Sequence, residues 1–364
     1  MTYYSISTIS MTNRMNGYIT SETKKLNDAL VETGTQRHAD MGLELGGQYG
    51  TTISLRNEFN YLNQLQTANG QTDVQLSVAD AAMEISRTTA ESLRDDLIGL
   101  RDTTDTVSTQ AGPAMESLSF LLGQLNTTTA GVSVFGGTEV GSPPMNEFNS
   151  NNPATNYELA AKDILNDYLI SVGLVDASGD PDETLMTAAD MEDFASNVFP
   201  TAFSDLWNNG GTINGNTYDP ISSATDDTID STIGDFMPAQ GSVSANEQAF
   251  IDMATGYVLV GVFGAMDLGE EAQKELVNQS VTKLSAGIDG TVEVQSTVGV
   301  VRDRIEKSDE RIQVEMNALN QRVIDLENVD PNQVAVELSQ AEAQLEINYA
   351  VTSRIKNLSL LNYL

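Results

Sequence analysis

The sequence predicts a mainly α protein: an antiparallel helical bundle or coiled coil built from N- and C-terminal arms, with an inserted variable domain of mixed α/β character. Three observations predict it. Apolar residues near both ends of the chain recur at steps of three and four, the spacing of a helical seam. Composition shifts at Asn126 and shifts back at Ala249, so the two seams flank a different kind of segment. Two long seams need partners, and pairing them with each other in one antiparallel bundle is the simplest solution.

The C-terminal seam is the clearest. Val301, Ile305, Ile312, Met316, Leu319, Val323 and Leu326 advance by four, seven, four, three, four and three, with charged residues between them. Asp330-Pro331 then restarts a helix, with Asp as N-cap, Pro at the first helical position and Gln333 three residues after the cap. A second amphipathic run follows at Val334, Leu338, Ala341, Leu345, Tyr349, Thr352 and Ile355. The chain closes on Leu358-Ser359-Leu360-Leu361-Asn362-Tyr363-Leu364, which is apolar and uncharged where soluble monomers are normally polar and frayed.

From the other end, Met1–Gly17 is Ser/Thr/Asn-rich with sparse apolar positions, weakly helical when alone. The patch Gly42–Gly50 reads as a helix break or loop. Ile53–Val107 reads as one long helical region whose seam is interrupted by Gln66, Asn69 and Asp73, which predicts polar layers or a stutter. Gly112-Pro113 reads as a break, and Ala114–Leu125 as a short helix. Helical patches follow at Tyr157–Val172 and Thr184–Leu206, and strand-like alternation around Thr228–Phe236. Between Glu139 and Phe250 the only basic residue is Lys162. Tyr168, Phe194, Phe199, Phe203 and Trp207 are expected to form a small core private to this insert.

The expected organisation is an assembly segment over 1–52, a helical arm over 53–138, a variable acidic surface domain over 139–248, and a C-terminal arm with a terminal assembly helix over 249–364. The bundle core is expected from Leu55, Phe59, Leu62, Leu93, Leu97 and Leu100 against Ile305, Ile312, Met316, Leu319, Val323 and Leu326. Apolar residues near the two ends have nothing local to bury them. Ile6, Ile9, Met15, Tyr349, Ile355, Leu358, Leu360, Leu361, Tyr363 and Leu364 are therefore the expected assembly interface.

Composition excludes several functions. Of 364 residues, 52 are acidic and 18 basic, a formal net charge of −34. That opposes nucleic-acid binding and docking to an anionic membrane. There is no cysteine, hence no disulfide scaffold or thiolate metal site. No stretch approaches the ~20 apolar residues of a membrane span, and the first thirty residues lack the apolar core of a Sec signal. The lone His38 sits between polar neighbours and reads as a solvated side chain. The glycine patch lacks the Lys-Ser/Thr of a phosphate loop. Asp176–Glu183 departs from EF-hand spacing and is broken by Pro181. No catalytic, cofactor or metal residues are assigned, and an enzyme is not expected.

Three stretches resemble the flagellar hook-associated protein 3 family, hook–filament junction proteins related to flagellin. Leu358–Leu364 looks like that family's C-terminus, Val298-Gly299-Val300-Val301-Arg302 is similar to its entry into the C-terminal coiled coil, and Asn126–Thr138 resembles its exit from the N-terminal arm. The resemblance covers both arms. It implies a structural protein of the bacterial flagellum, outside the cell at the hook–filament junction. It implies export unfolded through the type III export apparatus with an export chaperone, and assembly into a ring between hook-associated protein 1 and flagellin. The alternatives are a filament subunit and, further off, a coiled-coil adhesin or phage-tail component.

Overall fold

The computed structural model describes residues 8–100, 106–234 and 237–361, with side chains described from residue 10 to residue 355 outside those gaps. Ten α-helices are present among them: α1 (Thr8–Thr35), α2 (Met41–Leu45), α3 (Tyr49–Leu100), α4 (Ala111–Leu125), α5 (Tyr157–Val172), α6 (Ala188–Asp193), α7 (Phe199–Asn208), α8 (Gln248–Gly261), α9 (Glu270–Glu327) and α10 (Pro331–Leu361). Three antiparallel hairpins complete the described fold: β1–β2 (Thr128–Thr129, Val132–Ser133), β3–β4 (Gly211–Ile213, Asn216–Tyr218) and β5–β6 (Asp230–Gly234, Met237–Gln240). The protein is mainly α, with long helices from both ends packed together. Two compact units divide it: Met1–Gln64 with Arg311–Leu364, and Leu65–Glu310. These cuts fall within α3 and α9, while the compositional boundaries at 138/139 and 248/249 lie inside the second unit.

In the second unit, α3 and α9 run antiparallel. Asn69, Asp73 and Asp80 hydrogen-bond in turn to Asp309, Arg302 and Gln295, so the partner number falls as the α3 number climbs. The polar residues that interrupt the α3 seam have a specific task. Asn69 is buried, and its Nδ2 donates to the Ile233 carbonyl at 3.0 Å and to Asp309 Oδ1 at 2.6 Å. Ser308, which fills the seven-residue step between Ile305 and Ile312, donates to the same Ile233 carbonyl. Thr72 Oγ1 meets Ser231 Oγ at 3.3 Å. Here the polar layer is a backbone dock for the β5–β6 hairpin, not a stutter in a zipper. Such groups are kept in a core only where each finds a partner.

α8 is apolar on every side because it is covered on every side. Gln248–Ala265 has the length and hydropathy of a membrane span, yet 78% of it is buried inside the fold. Small residues let α9 approach it closely. A Cβ on Gly287 would lie 2.6 Å from Met253 Cγ and 2.8 Å from the Ala249 carbonyl, and one on Gly256 would lie 2.7 Å from Leu284 Cγ.

The insert's aromatic core is not private. Phe194 and Phe199 stack edge-on against Phe263, just after α8, with ring centroids 5.2 and 5.0 Å apart. Tyr168, Phe203 and Trp207 extend the same cluster. All belong to one buried core that includes residues of α3, α4, α8 and α9. Burying a ring of this size stabilises by roughly 1.5–3 kcal/mol, and Phe263 adds that gain only when the insert's rings pack against it. Asn214-Gly215 turns the β3–β4 hairpin with φ of 48° and 78°, the two positive values of a type I′ turn. Buried Asp163 on α5 anchors it, accepting from Asn214, Asn216 and Tyr218 at 3.1, 2.7 and 2.6 Å.

Two further expectations change. Gly112-Pro113 lies in the first turn of α4, where proline has no helical hydrogen bond to lose. The patch 41–50 does break the helix, but through α2, a 3₁₀ turn at Gly46–Gln48 and the start of α3, so of its two readings the break holds and the open loop does not.

Candidate assembly surface

The first unit brings the first and last helices, α1 and α10, together. On α1 a covered stripe runs through Thr12, Met15, Ile19, Glu22, Leu26 and Ala29, spaced three and four apart, with Thr23, Asp28 and Glu32 half-buried along its edge. On α10 they are Val334, Leu338, Ala341, Leu345, Asn348, Thr352 and Ile355, with the same spacing. The two stripes face each other. The polar stretch before Gly17 is therefore helical from Thr8, because α10 supplies the apolar surface it lacks alone. After Leu345 the seam continues through Asn348, not Tyr349. Asn348 is 6% exposed and its Nδ2 finds no hydrogen-bond partner, whereas Tyr349 is 57% exposed. Both positions fit a heptad, and a buried Asn in such a seam costs stability while fixing register.

The turns at the base of this pair are locked. Val329 N donates to the Gln36 carbonyl at 3.2 Å and His38 N to the Glu327 carbonyl at 3.1 Å. Glu327 has a side chain only 2% exposed and faces two guanidinium groups: Arg56 by a direct hydrogen bond and Arg37 at 3.7 Å. That bond raises the Arg56 pKa above its usual value, against the opposing effect of partial burial. Asp330 Oδ1 accepts from Asn332 N at 2.8 Å and starts α10. Sequence reasoning caught the cap but missed the clamp. Arg37, Arg56 and Glu327 are scattered in the chain and carry no shared motif.

The residues read as an interface fall in three groups. Met15 and Ile355 are half-buried in the α1–α10 seam, and Tyr349 points outward. Ile9 lies in the first turn of α1 and Leu358, Leu360 and Leu361 in the last turns of α10, with side chains outside the described set; Ile6, Tyr363 and Leu364 lie outside the described residues. Of the residues read as bundle core, Leu55, Leu62, Ile312, Met316, Leu319 and Val323 are buried in this unit, with Phe59 and Leu326 half-buried. Leu93, Leu97 and Ile305 are buried in the second unit and Leu100 is half-buried there.

What the sequence reading did not separate is the outer face. Twelve of the 23 large apolar side chains exposed among the described residues belong to this unit, which holds about a third of the chain. On α10, Val336, Ala343, Ile347 and Ala350 form a second, exposed stripe at steps of seven, four and three. An uncovered apolar face of this extent on a paired coil is a surface suited to packing against another chain.

The comparisons sharpen that reading. Residues 273–364, which span most of α9 and all of α10, match the family described as the bacterial flagellin C-terminal helical region. That matched stretch is similar to flagellin's C-terminal helical region, in line with the sequence resemblance. A solved structure described as that of a flagellar hook-associated protein from Vibrio parahaemolyticus is a distant likeness, with 10% identity and a TM-score of 0.49 over 77% of this chain and 97% of that one. No curated protein matches the chain.

Proposed function

We propose that this chain is a structural subunit of the bacterial flagellum, seated outside the cell at the hook–filament junction and built in through its paired ends. The observation that carries the proposal is the α1–α10 coil, whose inner stripe is satisfied and whose outer apolar stripe is not, within a segment that matches the flagellin C-terminal region. Lateral packing of subunits would cover that stripe. Burying each large apolar side chain contributes about 1.5–3 kcal/mol, and a closed or helical array repeats the gain at every subunit. The sequence of Leu358–Leu364 supports the junction position, with hook-associated protein 1 on one side and flagellin on the other, and delivery by the export apparatus with a chaperone covering the ends.

Truncation after Asn357 tests this in a strain lacking the chromosomal copy. The shortened protein should fold, yet leave cells with hooks and secreted flagellin but no filament. Filaments of normal length on those cells would overturn the proposal. The family match favours a second reading, a filament subunit. Antibody labelling in electron micrographs separates the two: label along the whole filament supports the subunit, and a single band at its base supports the junction.

A further inference from the structure

Charge is distributed unevenly along the α1–α10 pair. Residues 1–21 contain no acid and one base, Arg14; residues 347–364 contain no acid and two bases, Arg354 and Lys356. In a chain with a net charge of −34, the tip of the paired coil, residues 8–21 of α1 and 347–361 of α10, is thus net positive. Nearer the base, α1, α2 and α10 enclose a groove of about 560 Å³ with an opposite character. Its floor is made of small buried residues, Ala29 and Ala341. Its walls carry six carboxylates, Glu22, Asp28, Glu32, Asp40, Glu44 and Glu337, against a single ammonium, Lys25. Lys25 is already paired with Glu22 at 3.0 Å. Glu32 and Asp40 accept from the backbone N–H groups of Ala39 and Leu43, and Glu337 from the Gln333 amide, none of which brings a positive charge. At the groove's edge Leu43 is 72% exposed, the largest exposure of any large apolar side chain described.

We propose that this groove receives the tip of a second copy of the chain, so that copies associate head over base with a fixed axial stagger. A floor of alanines lets a helix come close, the walls attract a tip whose only charges are positive, and Leu43 offers an apolar grip to that tip. The stagger follows from the register. Arg14 lies fourteen residues from Asp28 on α1, and Arg354 thirteen from Ala341 on α10. At 1.5 Å per residue both helices give an offset of about 20 Å. The same charge pattern opposes the unstaggered pairing, which would set groove against groove.

The inference rests on the self-assembly reading above, and one experiment separates the two. Full-length protein with a reversed groove (Asp28→Lys, Glu44→Lys and Glu337→Lys, which leaves three carboxylates against four ammonium groups) and protein with a reversed tip (Arg14→Glu with Arg354→Glu) are compared with wild type by sedimentation at low salt. Each variant alone should associate at least about tenfold less readily, since like charges then meet. An equimolar mixture should regain association, because each reversed tip now fits the other's groove. Wild-type assembly should also weaken toward ~1 M salt, where the screening length is about 3 Å. A milder variant, Asp28→Asn with Glu337→Gln, should fall between. Association of either reversed variant at the wild-type level overturns the inference and leaves self-assembly standing, as does a folded mixture, checked by circular dichroism, that stays dispersed. Wild type that remains monomeric throughout overturns both.

Discussion

The clamp at the base of the terminal coil gives a prediction with an unusual sign. Glu327 is buried to 2% exposure, while Arg37 and Arg56 remain 52% and 48% exposed. Removing the carboxylate (Glu327→Gln) leaves two cations that water already reaches, so the cost is one ordinary charged hydrogen bond, about 1–2 kcal/mol. Removing both cations (Arg37→Ala with Arg56→Ala) leaves a carboxylate in a dry site. Breaking a buried pair in that sense costs about 3–5 kcal/mol. The double arginine variant should therefore be the weaker by about 2 kcal/mol, although it deletes the more exposed residues. Hydrogen exchange at the first turns of α10 reads the effect locally, and an extra 2 kcal/mol speeds opening there by about thirtyfold. The fluorescence of Trp207, the only tryptophan, is fully buried in the other unit and should stay unchanged. Protection lost equally in both variants, or more in Glu327→Gln, would refute the reasoning, because the carboxylate would then not depend on its cations.

Other substitutions test the rest of the fold. Gly287→Val should lower the Trp207-detected midpoint by overpacking α9 against α8, at about 2–3 kcal/mol, whereas Gly299→Ala, with open space around it, should leave stability equal or higher by up to ~1 kcal/mol; equal effects of the two would refute the close-approach reading. Asp163→Ala should free the β3–β4 hairpin by orphaning three donors, seen as a loss of about 2–3 kcal/mol in denaturant unfolding, and unchanged stability would show the hairpin is held otherwise. Burial first, then Asp193 and Asp190, pushes the Tyr168 phenol up to about 12, and burial raises Tyr257 as well. The unfolded chain then ionises first, near pH 10, so this stability is complete below pH ~10 and is lost as pH climbs toward 12; Tyr168→Phe should flatten that alkaline slope, followed by circular dichroism. Leu319→Asp, which places a charge in the seam of the first unit, should cost several kcal/mol there, and intact exchange protection along α9 would show that Leu319 is not core.

The sequence by itself determined the helices and their chief stripes. Tyr157–Val172 and the restart at Pro331 are set by local capping and by apolar spacing along one helix, so they can be read one segment at a time. The likeness of residues 273–364 to the flagellin C-terminal region was likewise legible, because it lies in contiguous residues. Tertiary structure decided the rest. Whether Asn348 or Tyr349 enters the seam turns on the partner's surface, since both satisfy the heptad. Asn69 and Ser308 look like flaws in two zippers until a hairpin carbonyl from Ile233 stands between them. The insert's aromatics close on Phe263, and Glu327 on Arg37 and Arg56, across separations for which no spacing rule exists. Periodicity reports which face of a helix is apolar. It carries no information about which distant face will cover it, because that choice is made by the free energy of the whole packed chain.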